Sequence, residues 1–385
     1  MPINKSEKLL LITHISDKCN FQCSYCYSSK SKKDMPEKVM GAITEFANSL
    51  VRDKFCSGIV LALEGGEPTL DKARFKKFVK YAQKAGVKEF VLCTNGSNLD
   101  KEMVDYLAAN KIYPVISFES KKSFVKNRAS HNLRIAEEMW NKIDSSLAFF
   151  VPFLAFYNKD KLDSFDVIRG RITITPSTIG YLADSVMYLY ESSIGAKILI
   201  TLMPAMSKEL DKEWRALASD KKSVAILENE FKKIAELYLW GLENKKPLNF
   251  CVNECLSLNF TNLASGEGLK QVPFCGAGNN LIGIDMKGAL YPCYLLSAAK
   301  TSAFRERFKI GSVFRGFNGN RTKAINEFCG KKQNKQFSCL YWNWFASGSP
   351  DKPAAAYKLL FNALEKAALR VRKELKEKPA KPAAR

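Results

Sequence analysis

Histidine is nearly absent from this sequence, because its 385 residues include only His14 and His131. Zinc and non-haem iron sites built on imidazole, and Ser-His-Asp relays, are therefore disfavoured. Long hydrophobic runs are missing as well. The longest, residues 147–157, falls well short of the roughly 20 residues that a membrane-spanning helix needs. We therefore expect no membrane segment.

Cysteine is plentiful by contrast, with eleven residues. Residues 1–7 lead straight into a strand-like run and contain no apolar segment of a signal peptide, so we expect a cytoplasmic protein. In a reducing compartment, this many cysteines indicate thiolate chemistry or metal ligation rather than a disulfide scaffold. Because histidine is scarce, sulfur would supply most metal ligands, which favours zinc or iron–sulfur clusters.

Strand-like and helix-like segments alternate through the first two hundred residues. Such alternation indicates an α/β fold with a parallel sheet and right-handed crossovers, either open or curled into a partial barrel. In these folds the ligand lies at the carboxyl ends of the strands. Apolar runs predict six strands, at 9–15, 59–63, 90–93, 114–118, 172–175 and 198–203. Helical periodicity predicts helices at 36–51, 71–85, 100–109, 133–143 and 178–193.

The chain divides into four predicted regions. Residues 1–206 form the barrel, 207–249 a helical bridge, 250–346 a Cys- and Gly-rich domain, and 347–385 a terminal helix with a basic, disordered tail. Residues 145–170 fit the alternation poorly. We expect them to be an insertion that packs over the barrel.

The strongest local feature follows the first predicted strand, where Cys19, Cys23 and Cys26 form a C-x3-C-x2-C run. Three thiolates on one tight loop can face a single metal centre. A structural zinc site closes with four ligands, whereas a cubane cluster on three cysteines leaves one iron open to an external ligand. The next cysteine in the sequence, Cys56, comes only after a predicted helix. The alternative is an incomplete zinc knuckle or buried thiols.

The three cysteines, with an aromatic residue before the third, resemble the signature of the radical S-adenosylmethionine (radical SAM) superfamily. Residues 64–68, Glu-Gly-Gly-Glu-Pro, resemble that family's second motif, which contacts the methionine amino group of SAM. The resemblance covers about residues 9–205 and implies a partial (β/α)6 TIM-like barrel that holds a [4Fe–4S] cluster with an open iron. It also implies reductive cleavage of SAM to a 5′-deoxyadenosyl radical, which abstracts hydrogen from a substrate.

The same resemblance implies further cofactor contacts at the carboxyl ends of the strands. Ser117 and Glu119 would contact the ribose, and Arg171, or alternatively Arg169, the methionine carboxylate. Tyr25 would lie over the adenine or pack against the barrel. The alternative for each strand-end residue is a solvated loop position, and no catalytic acid or base is identified. The predicted cofactor-binding set is Tyr25, Gly65, Gly66, Glu67, Pro68, Thr94, Asn95, Ser117, Glu119 and Arg171.

A second group of cysteines lies within residues 250–346. Gly288 followed by Cys293, with Cys275 upstream, resembles the opening of SPASM/twitch domains, which carry auxiliary [4Fe–4S] clusters in peptide and protein maturases. The pattern is incomplete, because only two later cysteines remain, Cys329 and Cys339.

We therefore expect one auxiliary [4Fe–4S] cluster in this region. Two clusters with open irons, or a structural zinc site, are the alternatives. The expected ligands are Cys275, Cys293 and Cys339, with a fourth from Cys255, Cys251 or Cys329. Cys56 and Cys93 lie in apolar settings and are expected to be plain buried thiols.

Acidic residues are scarce, with 39 Asp and Glu against 60 Lys and Arg, so the net charge is +21. The excess of positive charge suggests a nucleic-acid partner, but the lysines are spread over helix faces and no RNA-binding signature accompanies them. Basic stretches at 31–33 and 121–122 follow the first and fourth predicted strands and flank the expected cleft. They favour an acidic partner: an acidic peptide, a leader sequence or an RNA.

The leading hypothesis is a radical SAM oxidoreductase that modifies a peptide or protein substrate, acidic or Cys-rich, because the auxiliary region resembles that of peptide maturases. Radical modification of a small molecule or tetrapyrrole is the second hypothesis, and modification of RNA is the third. A cluster-bearing regulator without catalytic activity is the fourth. The expected reductant is a flavodoxin or ferredoxin.

Overall fold

The computed structural model describes residues 7–28, 31–128, 133–150, 168–195, 198–205, 208–252, 258–259, 277, 280–298, 302–323 and 354–377. Most of the predicted insertion and the basic tail lie outside these ranges. The strands are β1 (Lys8–Ser16), β2 (Gly58–Gly65), β3 (Glu89–Thr94), β4 (Ile112–Ser117), β5 (Arg169–Ile174), β6 (Leu199–Pro204), β7 (Phe250–Val252), β8 (Leu258–Asn259), β9 (Leu281–Ile284), β10 (Ala289–Tyr291), β11 (Gly311–Ser312) and β12 (Gly316–Phe317). The helices are α1 (Glu37–Arg52), α2 (Lys72–Lys84), α3 (Lys101–Ala109), α4 (Lys121–Arg128), α5 (Leu133–Ser146), α6 (Leu182–Glu191), α7 (Lys208–Ser219), α8 (Lys221–Glu243), α9 (Tyr294–Ala298), α10 (Ser302–Phe308) and α11 (Ala355–Glu377).

Strands β1 to β6 lie side by side in sequence order, and every neighbouring pair among them is parallel. The connections between them run through helices, as parallel pairing requires. Strand β6 is buried at all of its positions, which is typical of a parallel strand covered on both faces. The sheet does not close on itself within the described residues, so the predicted α/β partial barrel is confirmed.

Several helices begin at an aspartate whose side chain accepts a backbone N–H of the first turn. Asp71 accepts the N–H of Arg74 at 2.9 Å, and Asp100 accepts that of Met103 at 3.0 Å. The predicted helix at 178–193 is shorter in the structure, because a 3-10 segment, Pro176–Tyr181, precedes α6. Helix α4 was not predicted, since its sequence reads as a basic loop. None of the helices in the described ranges is long and apolar enough to cross a membrane.

The C-terminal part of the chain extends the same sheet. Strand β9 pairs in parallel with β1, with Leu10 opposite Leu281, and β10 returns antiparallel to β9. The β9–β10 turn is tight: Asp285 accepts the N–H groups of Lys287 and Ala289, each at 2.9 Å, and Gly288 has a φ of 79°. Residues 281–291 therefore form a tight hairpin that turns at Gly288, and it brings Cys293 next to the barrel.

Candidate functional site

A cavity opens where β2 to β6 end, and all three cysteines of the C-x3-C-x2-C run line it. This is the edge of the sheet at which we expected the ligand. Residues from five strand ends, the cysteine loop and helix α9 meet there. The lining consists of Cys19, Phe21, Cys23, Tyr25, Cys26, Tyr27, Ser28, Glu64, Gly65, Gly66, Cys93, Thr94, Asn95, Ser117, Arg128, Arg171, Thr173, Met203, Pro204, Ala205 and Tyr294.

The cysteine thiols sit in a setting that disfavours negative charge. Burial raises the pKa of Cys19 to about 11 and also raises the pKa of Cys23. Two N–H donors face the Cys19 Sγ nonetheless, from the Phe21 backbone at 3.4 Å and the Asn95 side chain at 3.8 Å. Buried thiolates with N–H donors need a compensating cation, and the iron of a cluster supplies one. The residues present therefore fit a [4Fe–4S] cluster.

A single metal ion fits less well. In the part of the chain that the structure describes, no three His, Cys, Asp or Glu side chains come close enough to hold one ion. In a cubane each cysteine binds a different iron, so its thiolates lie farther apart than the ligands of one zinc ion.

The Gly-Gly-Glu-Pro stretch is hydrogen-bonded directly to the backbone segment that leads into the cysteine loop. The Gly66 N–H donates to the Ser16 carbonyl at 2.6 Å, and the Glu67 N–H donates to the Lys18 carbonyl at 2.7 Å. A Cβ added to Gly65 would lie 2.3 Å from the Ser16 oxygen, and one added to Gly66 would lie 2.2 Å from the Lys18 oxygen. Only glycine permits this approach, so the motif positions the loop.

The Glu67 carboxylate is buried beneath the cavity and does not line it. It accepts hydrogen bonds from the backbone N–H and hydroxyl of Thr69, from the Thr94 hydroxyl at 2.8 Å and from the Asn95 N–H at 2.7 Å. Burial raises the pKa of the Glu67 carboxyl, and the hydrogen bonds from these donors, which lower the pKa, do not cancel the rise. Pro68 begins the short 3-10 turn that follows. Glu67 thus links β2 to the end of β3, while Gly65 and Gly66 reach the cavity.

Most of the other predicted cofactor-binding side chains meet at this cavity. Arg171 lines it, whereas the alternative, Arg169, does not. Glu119 is fully buried and outside the lining, because its carboxylate pairs with Arg128. The predicted residues that line the cavity besides the cysteines and glycines are Tyr25, Thr94, Asn95, Ser117 and Arg171. Their roles toward a cofactor stay predictions.

Two functional candidates were missed from the sequence. Arg128 lies at the end of the unpredicted helix α4, where the buried side chains of Phe124, Asn127 and Arg128 form an i, i+3, i+4 stripe that could have revealed the helix. Cys93 was expected to be a plain buried thiol, but it is half-buried and lines the cavity. Its Sγ donates to the Glu64 Oε1 at 2.9 Å. The expectation for Cys56, which is buried away from the cavity, is correct.

The second group of cysteines is described only in part. Cys251 is buried on β7 with its Sγ 3.5 Å from the Thr201 Oγ1, and Cys293 is buried at the end of the β9–β10 hairpin. The next residue, Tyr294, lines the cavity and packs edge-on against Tyr27, with ring centroids 6.4 Å apart. The other predicted auxiliary ligands lie outside the described residues: Cys255, Cys275, Cys329 and Cys339.

Comparison with known families gives a match in the N-terminal part of the chain. Residues 13–139 match the family model of the radical SAM superfamily. A curated S-adenosylmethionine-dependent nucleotide dehydratase from Psychrobacter lutiphocae is 31% identical over 116 residues, which is 27% of this chain and 38% of that protein. A cysteine-type anaerobic sulfatase-maturating enzyme from Clostridium perfringens is 26% identical over 165 residues, 39% of this chain and 42% of that protein. The matches thus span less than half the length of these relatives.

Solved structures match over much more of the chain. A structure of native anSMEcpe with bound AdoMet and a Cp18Cys peptide has a TM-score of 0.64 and 16% identity, and the match covers 96% of this chain and 99% of that one. Streptococcus suis SuiB bound to its precursor peptide SuiA has a TM-score of 0.56 and 17% identity, covering 91% of this chain and 75% of that one. These likenesses show that the fold is shared.

Proposed function

We propose that this chain, whose residues 13–139 match the radical SAM family model, is a radical SAM enzyme that binds a [4Fe–4S] cluster and SAM and modifies a peptide or protein substrate. The observation that carries the proposal is the convergence of Cys19, Cys23 and Cys26 on one cavity at the strand ends, beside the Gly-Gly-Glu-Pro turn. When bound, the cluster and SAM supply reductive cleavage of a sulfonium–carbon bond and hydrogen abstraction. A flavodoxin or ferredoxin is the proposed source of the electron.

The protein's own residues would bind and orient the cofactors. The three thiolates would hold three irons and leave the fourth open to SAM. Arg171 would contact the SAM carboxylate with its guanidinium, and Ser117 and the Thr94–Asn95 backbone would contact the nucleoside part. Tyr27 and Tyr294, which pack together at the cavity wall, would exclude water from that side.

The proposal of a peptide substrate is supported by the two structural neighbours described above, both of which were solved with peptides bound. The alternative, a small molecule, is supported by the match to a nucleotide dehydratase. One auxiliary [4Fe–4S] cluster, with Cys293 among its ligands, remains part of the proposal.

The test is anaerobic reconstitution of the full chain with iron and sulfide, followed by SAM and dithionite. The wild-type protein should produce 5′-deoxyadenosine. Replacing Cys19, Cys23 and Cys26 together by Ala should abolish this product and remove about four irons per chain. Cys56→Ala is the matched control and should retain both. Product formation by the triple variant would overturn the proposal.

The substrate class needs a second measurement with the active protein. Candidate peptides and nucleotides are incubated with the reconstituted enzyme and analysed by mass spectrometry. A mass change in a peptide, dependent on SAM and dithionite, supports the proposal. A change confined to nucleotides would replace the peptide by the small-molecule alternative.

A further inference from the structure

Arg128 and Glu119 form a buried ion pair behind the cysteine loop. The Arg128 Nε lies 2.9 Å from each oxygen of the Glu119 carboxylate, and its Nη2 lies 2.8 Å from the Glu119 Oε2. The side chains are 4% and 0% exposed. The same Nη2 lies 3.3 Å from the Thr173 Oγ1. The guanidinium thus joins helix α4 to the segments at the ends of β4 and β5.

The end of α4 also touches the loop between the second and third cysteines. The Ser24 N–H and hydroxyl donate to the Asn127 carbonyl at 3.2 and 3.4 Å. The Arg128 Cζ lies 5.6 Å from the centroid of the Tyr25 ring, within the range of a cation–π contact. Ser24 and Tyr25 stand between Cys23 and Cys26. The ion pair is therefore placed to hold the loop that carries two of the thiols.

Stability alone does not account for this pair. A buried ion pair costs desolvation of both charges, and apolar side chains of similar volume would often serve as well or better. What an apolar pair cannot provide is a fixed charge at the cavity wall, where Arg128 is part of the lining. Inside a protein such a charge acts over longer distances than in water.

The two charges of the pair have opposite effects on negative charge at the cysteine loop. Arg128 lines the cavity that the three cysteines share, whereas Glu119 lies outside that lining. The cation therefore faces the loop ligands more directly than its partner does. Negative charge that develops on the loop ligands is stabilised by Arg128 and resisted by Glu119.

We propose that Arg128 and Glu119 are a positioning pair that orients the cysteine loop and sets the reduction potential of the cluster bound there. The inference rests on the proposed function. Reduction adds one electron from the donor to the cluster, which becomes one charge more negative, while neither Arg128 nor Glu119 changes its covalent state. A nearby positive charge favours the reduced form, and a nearby negative charge disfavours it.

The experiment is a redox titration of the reconstituted full chain, followed by electron paramagnetic resonance. The signal to be followed is the one that changes on addition of SAM, which distinguishes the open cluster from any auxiliary one. Arg128→Gln should shift the midpoint potential to a more negative value. Glu119→Gln should shift it to a more positive value. Arg128→Lys keeps the charge and should restore a potential close to that of the wild type.

The opposite signs separate this role from a merely structural one. Shifts of the same sign, or no shift, in Arg128→Gln and Glu119→Gln would overturn the inference. Arg134→Gln is the matched control, because it removes the same charge from an exposed ion pair with Glu138, and it should leave the potential unchanged.

The outcomes distinguish this inference from the proposed function. If Arg128→Gln fails to fold, the other two variants decide. A more positive midpoint potential in Glu119→Gln, together with a wild-type potential in Arg128→Lys, supports the inference. An unchanged potential in Glu119→Gln overturns it. A wild-type protein that forms 5′-deoxyadenosine while its variants show no opposite shifts overturns the inference alone. A wild-type protein without a SAM-responsive cluster overturns both.

Discussion

The backbone N–H of Glu67 donates to the carbonyl oxygen of Lys18 at 2.7 Å, directly before the first cysteine of the triplet. Two motifs separated by about forty residues in the sequence are thus one structural unit. Changes in the second motif should therefore affect the metal-binding capacity of the first. The following predictions test this unit and its surroundings.

Gly66→Ala should remove most of the iron bound by the triplet. The added methyl group would lie 2.2 Å from the Lys18 carbonyl oxygen, a backbone atom that can move only with the cysteine loop. Iron and sulfide are counted after anaerobic reconstitution. The control is Gly41→Ala, in helix α1, where a Cβ meets nothing within 4 Å and should stabilise the protein by up to about 1 kcal/mol. Full iron content in Gly66→Ala would contradict the prediction.

Glu67→Gln should lower the free energy of unfolding by about 3 kcal/mol, because the amide has one acceptor oxygen in place of two and its NH₂ group faces buried donors. Either the Thr69 and Thr94 donors, which share Oε1, or the Asn95 N–H, which bonds Oε2, would then face the NH₂ group. Urea unfolding of the protein without cofactors measures the effect. Glu102→Gln, which breaks only an exposed pair with Lys76, should cost less than about 1 kcal/mol. Equal losses in the two variants would refute this interpretation.

Asp34 should make the stability depend on pH below about 4. Burial opposes its ionisation, but hydrogen bonds from Lys18 and Ser16 outweigh burial and lower its pKa below 3.8. The folded state therefore binds the proton less readily than the unfolded state, so the contribution is complete above the unfolded pKa and is lost as the pH falls through the folded one.

This contribution should be about 1 kcal/mol or less, since Asp34 is partly exposed. It is measured as the difference in unfolding free energy between the wild type and Asp34→Asn across acidic pH. The difference should shrink towards zero as the pH falls. A difference that grows on acidification would show that the assigned sign is wrong.

Arg128→Met and Glu119→Leu should each lower the free energy of unfolding by about 3 to 5 kcal/mol, because each leaves one buried charge without its partner. The double variant should be destabilised by less than the sum of the two, since it leaves no unpaired charge. Chemical denaturation of all three variants forms the double-mutant cycle. Additive losses would mean that the two side chains are not coupled.

Cys93→Ala should leave the iron content of the triplet unchanged. Cys93 lines the same cavity as the three cysteines, but its Sγ donates to Glu64 at 2.9 Å. Iron counting and SAM-dependent spectral change are the readouts, with Cys26→Ala as the variant that should lose iron. A loss of iron or of the response to SAM in Cys93→Ala would make Cys93 a fourth ligand and close the open position.

The sequence by itself determined the parallel α/β fold, the cysteine triplet and the Gly-Gly-Glu-Pro turn. Each of these depends on local pattern: apolar periodicity marks strands and helices, and the spacing of cysteines or glycines is read within a few residues. The predicted strand 9–15 and the observed β1, Lys8–Ser16, differ by one residue at each end. Strand-end residues could be expected at one edge because parallel strands end together.

Only the tertiary structure decided which of these side chains face the cavity. Cys93 lies on a parallel strand directly after the unbroken apolar run 90–92, so alternation could not tell which face it occupies. Arg128 looked like part of a basic surface loop, because its buried partner, Glu119, comes from another element. Tyr294 reaches Tyr27 only because β9 joins the sheet beside β1, a pairing between segments about 270 residues apart. Contacts of this range depend on how the sheet assembles, and no local pattern records them.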